Sequence, residues 1–187
     1  MKTNLNFINV IDLECCCWKG KPAGDIIEIG IAVVSNDSGK LIKSESIIVR
    51  PSQDEVSEFC TELTTLTPKF VNENGISLRD ACTKLENEFS SRNRLWVSYG
   101  DFDRLHLMKM CGRYLVGYPF GRTHLNIKNM IAVLEQWPKE IGMAGTYNKL
   151  TRMQIRGVHH RGVDDARNIA TILTLLLEKY RKDSDVC

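Results

Sequence analysis

The 187-residue chain lacks the signatures by which several protein classes are recognised. No apolar run approaches the roughly 18 residues that a membrane-spanning helix needs, and no basic start leads into a short apolar segment of the secretory type. A cytoplasmic protein with no membrane partner is therefore the expectation. The seven cysteines, at positions 15, 16, 17, 60, 82, 111 and 187, form no Cys-x-x-Cys pair matched by a second pair, which predicts reduced thiols rather than a disulfide framework. Adjacent Cys15, Cys16 and Cys17 point apart in extended chain and have no matching histidine pair, which argues against structural zinc. Strong charge of one sign is also missing: 25 Lys/Arg stand against 23 Asp/Glu, a net of +2. By halves, residues 1–100 carry −3 and residues 101–187 carry +5. That asymmetry permits a polyanionic partner along the second half without requiring one. No internal repeat, linker or low-complexity segment interrupts the chain, so one domain over residues 1–180 is expected, with residues 181–187 as a polar, frayed tail.

What is present starts with Phe7-Ile8-Asn9-Val10-Ile11-Asp12-Leu13-Glu14, an apolar strand ending in two carboxylates. Side chains alternate in a strand, so Ile8, Val10, Asp12 and Glu14 share one face, while Phe7, Ile11 and Leu13 share the other. Two carboxylates on one face repel each other unless water, a proton or a cation relieves them. At this point a solvated strand tip and a divalent-metal site both fit.

Strands are then expected over residues 26–34 and 41–49, separated by the turn at 36–39, and another over 95–99. Short connections between the first three favour an antiparallel meander. Ser77 followed by Asp80 reads as a helix cap ahead of Ala81, Leu85 and Phe89. Further helices are expected over residues 101–111 with Gly112 as the stop, over 126–136, over 146–155 and over 164–180. Strands followed by alternating helices and strands predict an α/β sheet with helices packed on it.

Three more places concentrate titratable groups: Gly100-Asp101-Phe102-Asp103, His159-His160 and Asp164-Asp165. In the last helix Asp165 shares the stripe of Ile169, Ile172 and Leu176, so it points toward the sheet, whereas Asp164 points away. An inward carboxylate needs a metal or a donor. Asp165 is thus a candidate third ligand for the strand-tip pair, with His160 five residues earlier able to act on a water there and His159 read as surface or structural. Periodicity leaves the choice between Asp101 and Asp103 open. If such carboxylates gather, hard oxygen donors suit Mg²⁺ or Mn²⁺, and two such ions suit phosphoester cleavage with a histidine as base.

Asp12-x-Glu14, Asp103 and His160-x₄-Asp165, taken in order, resemble the DEDDh group of 3′-to-5′ exonucleases within the ribonuclease H-like fold. Ile26-Ile27-Glu28-Ile29-Gly30, the segment from Phe59 to Thr67 and the segment from His160 to Asn168 extend the likeness toward the histone-mRNA, small-RNA and KapD-type branch. The resemblance implies a ribonuclease H-like mixed sheet and selects Asp103 over Asp101. It implies Asp12, Glu14, Asp103 and Asp165 as ligands for two Mg²⁺ ions, which Mn²⁺ can replace, and His160 as general base. Leu13 and Cys15 would lie beside the terminal 3′-hydroxyl, and Phe59, Leu63, Thr64 and Phe102 would form the terminal-nucleotide pocket. The implied partner is a single-stranded RNA or DNA 3′ end, RNA favoured, with nucleoside 5′-monophosphates as products. A DNA-directed exonuclease and a non-catalytic binding module are the rival readings. Thr65 stands where relatives commonly have Gly, and Tyr99 where other branches carry Asn; both departures bear on substrate preference.

Overall fold

The computed structural model describes residues 3–182; residues 183–187 of the expected tail, Cys187 among them, lie outside the described residues. The elements run β1 (Asn4–Cys15), β2 (Ile26–Ser35), β3 (Leu41–Ile48), α1 (Glu58–Thr64), α2 (Pro68–Asn74), α3 (Leu78–Phe89), β4 (Arg94–Ser98), α4 (Phe102–Arg113), β5 (His124–Asn126), α5 (Ile127–Leu134), α6 (Met143–Thr151) and α7 (Gly162–Lys182). One five-stranded sheet has the order β3-β2-β1-β4-β5. The meander β1-β2-β3 is antiparallel, and β1-β4-β5 is parallel. This is the ribonuclease H-like mixed sheet anticipated above, with β1 at its centre.

The alternation along β1 sorts its side chains as expected. Ile11, Leu13 and Cys15 join Ile29, Ile31 and Val33 of β2 in a core against α3 and α4. Ile8 and Val10 join Ala32 and Val34 in a second core, covered by Ile169, Ile172, Leu173 and Leu176 of α7. Each such buried aliphatic side chain contributes about 1.5–3 kcal/mol of transfer free energy. Because both faces of β2 are covered, it reads as an almost unbroken apolar run with one acid, Glu28, in it. A smaller cluster of Cys16, Ile27, Val56, Cys60, Leu66 and Val71 holds α1 and α2, and Trp18 packs against it.

Several boundaries differ from those expected. Helices α1 and α2 were not anticipated, although both carry ordinary caps: Ser57 Oγ accepts from the Cys60 amide, Thr67 Oγ1 accepts from the Phe70 amide, and Pro68 occupies the first turn. Gly112 does not end α4, which continues to Arg113, a cation suited to a helix C-terminus. Three-residue β5 was not anticipated, being too short to show alternation, and it takes Asn126 from the helix expected over 126–136, so that α5 spans 127–134. Helix α6 spans 143–151 rather than 146–155, because Arg152 closes it in the left-handed region at φ 63°. Nor is Arg181 frayed: it lies within α7 and donates to Asp37 O at 3.0 Å and Asn36 Oδ1 at 2.8 Å.

Candidate active site

The C-terminal end of β1 opens into a cleft of about 320 Å³, lined by Asp12, Glu14, Asp103, His159, His160 and Asp165 together with Leu13, Cys15, Cys17, Leu63, Tyr99, Phe102 and Met143. Three parts of the chain meet there for separate reasons. On β1, the alternation that buries Ile8 and Val10 under α7 places Asp12 and Glu14 on the same side, opposite Gly30 and Glu28 of β2. A register shift between Glu14 and Cys15 ends the regular pairing at the strand tip.

Asp165 comes from the first turn of α7 and is only 3% exposed. It accepts from the His160 amide at 2.9 Å and from His159 Nδ1 at 3.0 Å. Asp103 comes from the first turn of α4, where the helix dipole favours a carboxylate. Its Oδ1 accepts from the Leu13 amide at 2.9 Å, tying α4 to the strand tip. The neighbouring Asp101 instead accepts from Asn126 Nδ2 at 3.0 Å on the exposed surface. Asp164 likewise stays outside the cleft, accepting from the Val158 amide and from Arg167.

The carboxyl oxygens of Asp12, Glu14 and Asp165 lie within 4.8 Å of one another, and so do ligand atoms of His159, His160 and Asp165. Crowding on this scale shows in the proton affinities. Burial, then the charges of Asp103, Glu14, Asp165 and Glu28, hold the Asp12 carboxyl well above the ordinary carboxylate range. Burial, Asp165, Glu28 and Asp103 push Glu14 up to about 9 against a partial pull downward from Arg161. Asp103 is raised to about 7 by burial despite its hydrogen bond from Leu13. The His160 imidazole moves the other way, lowered by burial and by His159, with Asp165 opposing. So many acids cannot all ionise together without a compensating positive charge. A hard divalent cation matches an all-oxygen donor set of this kind, so the residues fit such a group.

The structure brings Asp12, Glu14, Asp103, His160 and Asp165 together, with Leu13, Cys15, Leu63 and Phe102 on the cleft walls. Phe102 is 51% exposed and stacks on His106 with centroids 5.0 Å apart. Phe59 and Thr64 are not among the lining residues. The Thr64 hydroxyl donates to Cys60 O inside α1, and Phe59 lies on that helix's exposed side. His159, read from the sequence as surface or structural, instead lines the cleft: its ring stacks on that of His160 with centroids 4.0 Å apart and its Nδ1 bonds Asp165, the histidine doublet having been the available signal. Sequence reasoning also missed Cys17 and Met143 as cleft residues. Tyr99 OH hydrogen-bonds with Ile141 O and Thr146 Oγ1, which fixes the start of α6, where Met143 enters the cleft.

The exonuclease (RNase_T) family model matches residues 9–173. The chain belongs to the exonuclease family. Among curated exonucleases it is similar to 3′-5′ exoribonuclease 1 of Rattus norvegicus, 25% identical over 92% of this chain and 53% of that protein. It is also similar to the 3′-5′ exonuclease Snipper of Drosophila melanogaster, 24% identical over 90% of this chain and 68% of that protein. The chain spans about half the length of the first of these relatives. Its fold is shared with the nuclease domain of 3′hExo, a DEDDh family member solved with bound rAMP: TM-score 0.85, 23% identity, 96% of this chain and 95% of that one. Among the described residues, no helix is long and apolar enough to cross a membrane.

Proposed function

We propose that this exonuclease-family chain is a metal-dependent enzyme that removes nucleoside 5′-monophosphates from the 3′ ends of single-stranded nucleic acid, RNA favoured over DNA. The observation that carries the reading is the convergence of Asp12, Glu14 and Asp165 within ligand distance, with Asp103 and His160 in the same cleft. Asp12, Glu14 and Asp165 would hold the divalent ions, Mg²⁺ by preference with Mn²⁺ as a substitute, and Asp103 would assist from α4. When bound, such ions polarise the phosphate and lower the pKa of a water. His160 faces the same cleft with its imidazole held toward the neutral form, suited to accept the proton of an attacking water. Leu63 and Phe102 present apolar surface on which a terminal nucleoside can pack, while the backbone at Leu13 and Cys15 borders the position of its 3′-hydroxyl. Phe59 and Thr64 belong to α1, the helix that supplies Leu63, without lining the cleft themselves.

RNA is favoured because the rat relative is named an exoribonuclease and the 3′hExo domain was solved with rAMP. A single exonuclease domain over residues 1–180 and a reducing, cytoplasmic setting complete the reading; the latter is supported by six free cysteines among the described residues.

A panel of matched 5′-labelled single-stranded RNA and DNA oligonucleotides, with Mg²⁺, Mn²⁺ or EDTA, tests polarity, sugar preference and metal dependence together. The expected result is stepwise shortening from the 3′ end, faster on RNA, abolished by EDTA and by Asp12→Ala. Faster degradation of DNA would transfer the chain to DNA-directed processing. Binding without cleavage would make it a nucleic-acid-binding module.

A further inference from the structure

Glu28 is an acid in an otherwise apolar strand, and it is fully buried, 0% exposed. It does not line the cleft, and it lies outside the groups of side chains within ligand distance of one another. Its carboxylate nevertheless gathers four donors. Ser46 Oγ of β3 donates to Oε1 at 2.6 Å, and the Val163 amide to the same oxygen at 3.3 Å. The Gly162 amide donates to Oε2 at 3.0 Å, and Arg161 Nε at 3.2 Å. A buried carboxylate is tolerated only when so satisfied, and three of these four donors belong to one turn, Arg161-Gly162-Val163.

That turn separates His160 from Asp165. His160 sits in the left-handed region at φ 63°, a conformation that a residue with a side chain keeps only when its surroundings hold it. The amides of Asp164 and Asp165 both donate to Arg161 O at 2.9 Å, so the turn also sets the first turn of α7. A second contact fixes its depth. A Cβ built on Gly30 would lie 1.9 Å from the carbonyl carbon and oxygen of Gly162, which means that the two backbones touch with no room for a side chain between them. Arg161 reaches further, its Nη1 coming within 3.5 Å of Thr65 Oγ1 at the end of α1, the helix that supplies Leu63 to the cleft.

We propose that Glu28 is a positioning residue of the site. From β2 it clamps the 161–163 turn, and so sets where His160 and Asp165 stand relative to Asp12 and Glu14. Arg161 is its partner in that clamp. The inference rests on the exonuclease reading, since a clamp of this kind matters only where the placement of His160 and Asp165 limits turnover. Glu28 touches no reacting atom in this scheme; it acts on the site as outer hydrogen-bonding partners act on ligands.

The test compares wild type, Glu28→Gln, Arg161→Gln and the double variant on a single-stranded RNA oligonucleotide, measuring kcat, KM and the Mn²⁺ concentration for half-maximal rate. Thermal unfolding gives the folded fraction of each. Gln is isosteric with Glu but places an NH₂ against the turn's N–H donors. Expected are a fall in kcat of about ten- to hundredfold and a rise in the half-saturating Mn²⁺ concentration of similar size, with KM for the oligonucleotide held within about twofold. The double variant should be no worse than the poorer single variant, because both substitutions open the same clamp. Should Glu28→Gln not fold, Arg161→Gln, whose side chain reaches the surface, carries the same expectations alone. If the variants keep wild-type kcat and metal response per folded molecule and lose only melting temperature, Glu28 is structural and the proposal is overturned. A wild-type protein that cleaves neither RNA nor DNA would instead overturn the exonuclease reading, an outcome that the wild-type arm separates from the first.

Discussion

Replacing Glu14 by Gln should make the metal-free protein more stable while removing its activity, and the gain should grow with pH. The Glu14 carboxyl ordinarily titrates near 4.5 and is pushed up to about 9 in the fold. Below pH 4.5 it is protonated in both states and has no effect on stability. Between pH 4.5 and 9 the folded protein keeps a proton that the unfolded chain has released, so stability falls as pH rises, by about 1.4 kcal/mol per unit. Across the interval from pH 5.5 to 8 that amounts to about 3 kcal/mol. The residue is only 8% exposed, so screening by water is small. The substituted glutamine has the same shape and no titration. Urea unfolding in EDTA at pH 5.5, 7 and 8 should therefore show wild type losing stability toward high pH, with the variant's curve flatter and the gap widening by about 3 kcal/mol over the series. Saturating Mn²⁺ should reverse the order at pH 8, because wild type gains binding free energy that the variant forgoes. Parallel curves for the two proteins, or a wild type that gains stability from pH 5.5 to 8 in EDTA, would refute the reasoning.

Substituting His160 by Ala should lower kcat by about 10² to 10⁴-fold, the range for loss of a general base; the acid limb of the wild-type pH–rate profile should fall below the ordinary imidazole value of about 6.5, in keeping with the lowered proton affinity of that ring. A rate that survives the substitution would remove His160 from the mechanism. Thr65 caps α1 at φ 62°, a left-handed conformation that suits glycine. Thr65→Gly should stabilise the fold by about 0.5–1 kcal/mol, read as a shift in the urea midpoint with unchanged slope; a loss would show that the contact with Arg161 outweighs the strain. Gly30→Ala should cost more than about 3 kcal/mol or prevent folding, since its Cβ would overlap the Gly162 carbonyl; near-normal thermal stability would contradict that packing.

The parts of the site that the sequence made legible are those governed by a simple period. Alternation along β1 placed Asp12 and Glu14 on one face, and the stripe of α7 turned Asp165 inward and Asp164 outward, as the structure has them. Helix α4 offered no comparable stripe: Phe102, Leu105 and Met108 are exposed, so apolar spacing there did not mark the buried side. Periodicity left Asp101 and Asp103 undivided and the resemblance selected Asp103; in the structure Asp103 is buried in the cleft and held by the Leu13 amide, a contact made across 90 positions. The role of Glu28 was hidden for the same reason, since its partners come from β3 and the 161–163 turn; His159 was within reach, its partners being the adjacent His160 and Asp165 six residues on. Helices α1 and α2 were passed over even though Ser57 and Thr67-Pro68 are local capping signals; their short lengths leave little periodicity to read.

The meeting of Glu28 with Gly162 joins positions 134 residues apart. Synthesis delivers β1 and β2 to the ribosome exit early and the segment bearing His160 and Asp165 much later. Until α7 docks on the sheet, Asp12 and Glu14 have Asp103 beside them but lack Asp165 and His160, so the carboxylate site closes only when that second face of the sheet is covered.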